Sequence, residues 1–325
     1  MDARLVPATG ELLEEILDET YPVWNEGLTR ENYARFNVAQ RQTAWGATHL
    51  QRVALVSSRG RLLSTAKRYD LAARLDGRSV RVLGIGAVFT PVSLRRRGLA
   101  GELIEQLLDG ARQESFGLAL LFSAIGSDYY RRFGFEAVPI TQAALEVRVK
   151  PGSPAMLVRG GEDRDIPFLA DMHQARLATS GWRFALEREP DFIRFGVTRK
   201  RLLAGLGPPG LRQVEYYVAE EGNRPAAYAM LLRSNEVRML AECGDRDASG
   251  ARVGALLQSL IARAPAAPVP EIRAWLPPGF CPPQVRLLRP ERSAVTMMMR
   301  PVAGHPAIEP PLSTGDVMYW LGDVV

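Results

Sequence analysis

One order of periodicities, helix, helix, three strands, helix, strand, runs twice through the 325 residues and constrains the fold more than any other feature. In the first copy, apolar residues recur at helical spacing over 11–20 and 29–44, with Thr29-Arg30-Glu31-Asn32 as a helix start. β-type runs follow at 51–56, 61–72 and 79–89, separated by the turn sequences Ser58-Arg59-Gly60 and Asp76-Gly77. A helix over 98–114 carries the stripe Leu99, Leu103, Ile104, Leu107, Leu108 and Ala111, which must lie on the sheet. The short apolar run 118–123 reads as a buried parallel strand, and 136–149 alternates as another. The second copy places a strand at 156–158, helices at 163–179 and 190–200, strands at 214–219, 226–233 and 236–242, a helix at 249–264 and a strand at 271–275. The expected fold class is therefore α/β, more closely α+β with mixed sheets, built in tandem. Lys150-Pro151-Gly152-Ser153-Pro154 is rich in turn residues and predicts the linker, dividing the chain into 1–150 and 151–325. The stretches 264–270 and 277–283 are Pro-rich loops, and 317–325 predicts a terminal strand.

Chemistry concentrates where the third strand of the first copy ends. Val88-Phe89-Thr90 closes a strand, and Arg95-Arg96-Arg97-Gly98-Leu99-Ala100-Gly101 opens a helix. A helix N-terminus offers unpaired amides and a favourable dipole to a pyrophosphate. Gly98, Ala100 and Gly101 keep side chains out of its way, and the three arginines add cationic donors. An isolated arginine run before a helix is ordinarily a solvated surface, so the weight rests on strand, turn, glycine and helix agreeing. No Gly-Lys-Ser/Thr completes a triphosphate loop, and Gly84-Ile85-Gly86 lacks the third glycine of a dinucleotide fingerprint.

Arg95-Arg96-Arg97-Gly98-Leu99-Ala100 resembles the (Gln/Arg)-x-x-Gly-x-(Gly/Ala) signature of the GNAT N-acetyltransferase superfamily. Tyr129-Tyr130-Arg131-Arg132-Phe133-Gly134-Phe135 resembles the Tyr-x-Arg-Phe-Gly-Phe/Tyr segment found downstream of that signature. The tandem layout is similar to the Eis-like branch, without room after Arg300 for that branch's third, sterol-carrier-like domain. The resemblance implies acetyl-CoA as co-substrate, with its pantetheine arm along Val88, Phe89 and Thr90 and its pyrophosphate on Arg95, Arg96, Arg97, Gly98, Leu99, Ala100 and Gly101. It implies direct acetyl transfer to a primary amine in a ternary complex, the Val88 N–H polarising the thioester and Tyr130 protonating the leaving thiolate. Tyr129 reads as packing. For the base, it implicates the terminal carboxylate of Val325, beside the helix acids Glu14, Glu15, Asp18, Glu19 and Glu26; Trp24 and Glu26 are candidates to wall the acceptor pocket.

In the second copy, alignment on Gly254 puts Ala251 at the basic position and Leu256 at the small one, while Asp247 would repel phosphate, so this copy is expected to be degenerate. A non-catalytic acyl-CoA sensor is the alternative function. The net charge of +5 is too dilute to nominate nucleic acid. No apolar run approaches the roughly 20 residues of a membrane span. Two cysteines, Cys243 and Cys281, suit a reducing cytoplasm and are expected to be small buried residues; no metal-ligand spacing occurs, and His49, His173 and His305 lack partners. Met297, Met298 and Met299 read as a core strand. The acceptor, a small molecule or a peptide amine, and homo-oligomerisation stay open.

Overall fold

The computed structural model describes residues 3–148, 156–234, 237–263, 271–277, 279–291, 293–302 and 304–323. The first copy comprises β1 (Ala3–Pro7), α1 (Gly10–Trp24), α2 (Arg30–Arg41), α3 (Ala44–His49), β2 (Leu50–Ser57), β3 (Leu62–Leu75), β4 (Arg78–Phe89), α4 (Leu99–Gln113), β5 (Leu118–Ser123), α5 (Asp128–Arg131), β6 (Glu136–Val138) and β7 (Gln142–Val147). The second comprises β8 (Leu157–Gly160), α6 (Ile166–Thr179), β9 (Phe184–Leu186), α7 (Pro190–Leu206), β10 (Arg212–Glu221), β11 (Arg224–Ser234), β12 (Val237–Asp245), α8 (Ala251–Ala262), β13 (Ile272–Ala274), β14 (Val285–Glu291), β15 (Thr296–Pro301) and β16 (Val317–Met318). The linker expected at 150–154, Val324 and Val325 lie outside the described residues.

Both copies build the same crossover. β4 leads through α4 into the parallel strand β5, and β12 leads through α8 into the parallel strand β13. Each crossover helix starts at a left-handed glycine, Gly98 at φ +80 and Gly250 at φ +77. The glycine equivalent to Gly98 is thus Gly250, not Gly254, which corrects the sequence alignment by one helical turn and puts Asp247 at the position of Arg95. Elsewhere local chemistry sets the boundaries. Thr29 accepts a hydrogen bond from the Asn32 N–H and caps α2 as expected. The apolar face of α4 (Leu99, Leu103, Ile104, Leu107, Leu108, Ala111) is buried against Val53, Leu83, Ile85 and Leu121.

A cut at residue 150 does not separate the sheets. The first sheet runs β1-β2-β3-β4-β5-β15-β6 and the second β14-β7-β13-β12-β11-β10-β8. β15, read correctly as a core strand, crosses into the first sheet between β5 and β6, with Met297↔Phe122 and Met297↔Val138 in register. Reciprocally, β7 lies in the second sheet between β13 and β14. The single strand expected over 136–149 is therefore two strands in different sheets. Pro139 supplies no ladder N–H, and the chain leaves the first sheet there. One apolar core consequently spans both sheets, from Tyr69, Leu118 and Leu120 to Leu231, Leu240 and Trp275.

The stretch 317–323 docks as expected, but only Val317–Met318 is strand, paired with β9; Leu321–Asp323 forms a 3-10 turn. Tyr319, Trp320 and Leu321 are buried in the shared core. Asp323 and Glu242 of β12 both bond the buried guanidinium of Arg188, the Glu242 contact at 2.6 Å. Cys243 is buried as expected; Cys281, in the Pro-rich loop, is exposed. His173 is a core residue bonded to the Leu186 carbonyl at 3.0 Å, and burial pushes its imidazole down to about 3.

Candidate active site

The end of β4 is bent away from ordinary pairing. Thr65 opposes Phe89 and Lys67 opposes Gly86, so three steps of β4 face two of β3, and Ala87 takes a φ of +47. This bulge redirects Val88 and Phe89. On the other side, the parallel ladder to β5 runs from Val82↔Leu118 to Ile85↔Leu121 and stops, though both strands continue. Pairing between the two strand ends stops just before the bulge. Ser64 Oγ donates to the Phe89 carbonyl at 2.9 Å and lies 3.1 Å from Thr90 Oγ1, fixing the strand end.

The turn that follows packs Leu94 into the α4 core, with Arg96 at φ +64 and Gly98 at φ +80. Glu102 N–H makes the first bond to the Gly98 carbonyl at 3.0 Å, so the amides just before it have no intrahelical acceptor and face the turn. A Cβ at Gly98 would meet nothing within 4 Å, so the space over the helix end is open; at Gly101 it would lie 3.0 Å from the Phe133 ring, so that glycine serves packing. Arg95 donates to the Thr90 carbonyl at 3.2 Å and sits 5.8 Å from the Phe89 ring centre, while Arg96 and Arg97 are exposed. For Gly98→Ala the left-handed backbone costs a Cβ about 1–2 kcal/mol. The expected result is a destabilisation of that size in chemical denaturation, with weaker acetyl-CoA binding by calorimetry.

Tyr130 sits on α5 in the loop after β5, at the same end of the sheet. Its amide bonds to the Ser127 carbonyl at 3.1 Å, and its carbonyl accepts from Phe133 N–H at 2.9 Å. Its ring packs edge-on against Tyr129 (5.1 Å) and near Phe135 (6.3 Å), within the cluster that includes Val88. Burial, then the neighbouring Tyr129 phenol, pushes the Tyr130 hydroxyl up to about 12. The loop is braced from the other half of the chain: Arg300 of β15 donates to the Phe133 carbonyl at 2.5 Å.

Trp24 stands edge-on to Phe89 at 5.9 Å, bringing the end of α1 to the strand end. Glu26 is engaged elsewhere, its carboxylate 2.6 Å from Arg212 of β10. Glu14 and Asp18 pair with Arg30, and Glu15 and Glu19 are exposed on the outer face of α1. Val325 lies outside the described residues.

Two cations were missed in the sequence. Arg52 and Lys67 stand directly opposite each other on β2 and β3. The signal was present: in the alternating run Leu50-Gln51-Arg52-Val53-Ala54, Arg52 occupies an inward position.

In the second copy the corresponding helix end is filled from within. The Asp245 carboxylate accepts from the N–H groups of Arg252 (2.8 Å) and Val253 (3.1 Å), and Phe280 covers Gly250, whose Cβ would lie 2.5 Å from the ring. A buried carboxylate and a phenyl ring fill the helix end that stays uncapped by side chains in the first copy.

The geometry defines a class of fold: two like halves in tandem, one with an open crossover-helix end and one with a closed one. Residues 11–138 match the acetyltransferase (GNAT) domain family model. Among solved structures, the chain is similar to a conserved protein of unknown function from Enterococcus faecalis, a probable N-acyltransferase (14% identity, 93% of this chain and 73% of that one, TM-score 0.67). It is also similar to Eis1 from Mycobacterium abscessus (14%, 92% and 73%, TM-score 0.55) and to a tandem GNAT protein from the clavulanic acid biosynthesis pathway (13%, 94% and 100%, TM-score 0.53). No curated protein matches in sequence. These likenesses establish the tandem GNAT fold with Eis-like architecture; the acetyltransferase family model ties acyl transfer to residues 11–138. Among the described residues, no helix is long and apolar enough to cross a membrane and no group of side chains has metal-ligand geometry.

Proposed function

We propose that this chain is an acetyl-CoA-dependent N-acetyltransferase acting on a primary amine through a ternary complex, in a cytoplasmic setting. The observation that carries the reading is the convergence of three features at one end of the first sheet: the bulged end of β4 beyond its pairing with β5, the open N-terminus of α4, and the buried phenol of Tyr130. The pyrophosphate takes the amides at Gly98–Gly101 with Arg96 and Arg97 alongside, and Arg95 steadies the strand end. The thioester arm lies along Val88, Phe89 and Thr90, where the Val88 N–H stabilises the developing oxyanion. Once deprotonated, the amine nitrogen bonds to the acetyl carbon, the carbon–sulfur bond breaks, the thiolate takes the Tyr130 proton, and the nitrogen gives up its second proton to the phenolate. The terminal carboxylate of Val325 takes the ammonium proton; Glu26, held by Arg212, borders the acceptor side with Trp24. Residues 1–150 supply the coenzyme site and Tyr130, and 151–325, whose helix end is filled by Asp245 and Phe280, shape the acceptor side and carry the proposed base.

Titration calorimetry is expected to give one acetyl-CoA per chain, and a thiol-release assay across amine classes to give turnover. Two bound molecules would refute the closed second site. Coenzyme binding without thiol release for any amine would make the chain an acyl-CoA sensor.

A further inference from the structure

The face of the first sheet turned toward α1 and α2 buries positive charge. Leu50 and Arg52 of β2 oppose Tyr69 and Lys67 of β3, so the two cations share one face as a directly opposed like-charged pair, an arrangement that is unfavourable by itself. Arg52 is only 4% exposed, and its Nη2 has no hydrogen-bond partner among the described residues. Lys67 is half-buried, and burial, then the charges of Arg52 and Arg199, push its ammonium well below its ordinary value. Such a pair calls for an anion, since a buried charged donor left unpaired carries its full desolvation cost.

Its position says which anion. Arg52 Nη1 lies 3.4 Å from the carbonyl oxygen of Ala87, and that carbonyl belongs to the same peptide unit as the Val88 N–H. Arg52 and Lys67 also line a small cavity with Leu13 and Leu17 of α1 and Asn37 and Arg41 of α2. Its volume of about 10 Å³ suits one oxygen-sized group rather than a bulky moiety. We propose, resting on the acetyltransferase reading, that Arg52 and Lys67 bind a carboxylate carried by the acceptor, so that the substrate class is an amino acid or similar amine-bearing acid rather than a polyamine. The Ala87 carbonyl and the Val88 N–H point opposite ways from one trans peptide, so an acid held by Arg52 must reach past that peptide to bring its amine to the thioester, which sets the amine several bonds from the carboxylate.

The test is binding calorimetry on the full chain loaded with CoA, using amino acids and their matched carboxamides. Free acids are expected to bind at least about 100-fold more tightly. In Lys67→Met that ratio should fall toward unity with acetyl-CoA affinity unchanged; Lys67→Arg should keep most of it. Equal binding of acids and amides would overturn the proposal. So would a preference that appears only in a semisynthetic chain with an amidated C-terminus, because the carboxylate held would then be the chain's own. The readout is a ratio of affinities and involves no turnover, so failure of acyl transfer registers separately, as binding without thiol release.

Discussion

Replacing Tyr130 by phenylalanine is expected to lower kcat by at least about 100-fold while leaving the dissociation constant for acetyl-CoA nearly unchanged. The phenol is buried among Val88, Tyr129 and Phe135, so losing one oxygen removes the proposed proton donor and little of the packing. Steady-state thiol release and calorimetry on the same preparation check it; a variant as active as the parent would remove Tyr130 from the mechanism. The pH profile adds an independent sign. A general acid must be protonated, and with the hydroxyl pushed up to about 12, loss of activity from Tyr130 ionisation lies at or beyond that pH. A basic limb set by this group near its ordinary value of 10.0 would contradict the burial.

The second large effect concerns stability. Arg188→Met leaves the Glu242 and Asp323 carboxylates buried without their shared cation, and the expected cost is about 3–5 kcal/mol by denaturant unfolding. Replacing all three by apolar residues of similar size should recover most of it, because the desolvation of the charges disappears with them. A single variant indistinguishable from the parent would mean that the network contributes nothing. Acid sensitivity follows the same groups. Burial pushes the Glu242 carboxyl up, but Arg188 and Lys200 together hold it below its ordinary value of 4.5. A depressed carboxyl contributes stability that is whole above that value and is lost as the pH falls through the folded one. The apolar triple variant should lose this part of its acid sensitivity.

Elements that depend on local periodicity were legible in the sequence. The stripe of α4, the three-strand meander and the apolar run of β5 fall within a few residues of where the pattern puts them. The turn before α4 was legible as well, because Gly98 needs a left-handed backbone that few other residues adopt. Partner choice was not. Alternation tells which face of β7 or β15 is apolar, but both sheets offer an apolar face, and only the completed tertiary structure selects one. β9 is three residues long and shows no period at all. The Glu26 ion pair joins residues 186 apart, and nothing in either local sequence announces it. Arg52 was visible in principle, as a charge at an inward position, yet a lone inward arginine gains meaning only when its neighbour across the ladder proves to be Lys67.

The exchange of β7 and β15 bears on whether either copy could stand alone. Here deletion of the second copy would take away the strand between β5 and β6 and the Arg300 brace on the Tyr130 loop, while the first copy's β7 would lose both neighbours. Each copy therefore completes a sheet of the other, and neither half of the chain can be removed without opening the sheet that the other half leaves behind.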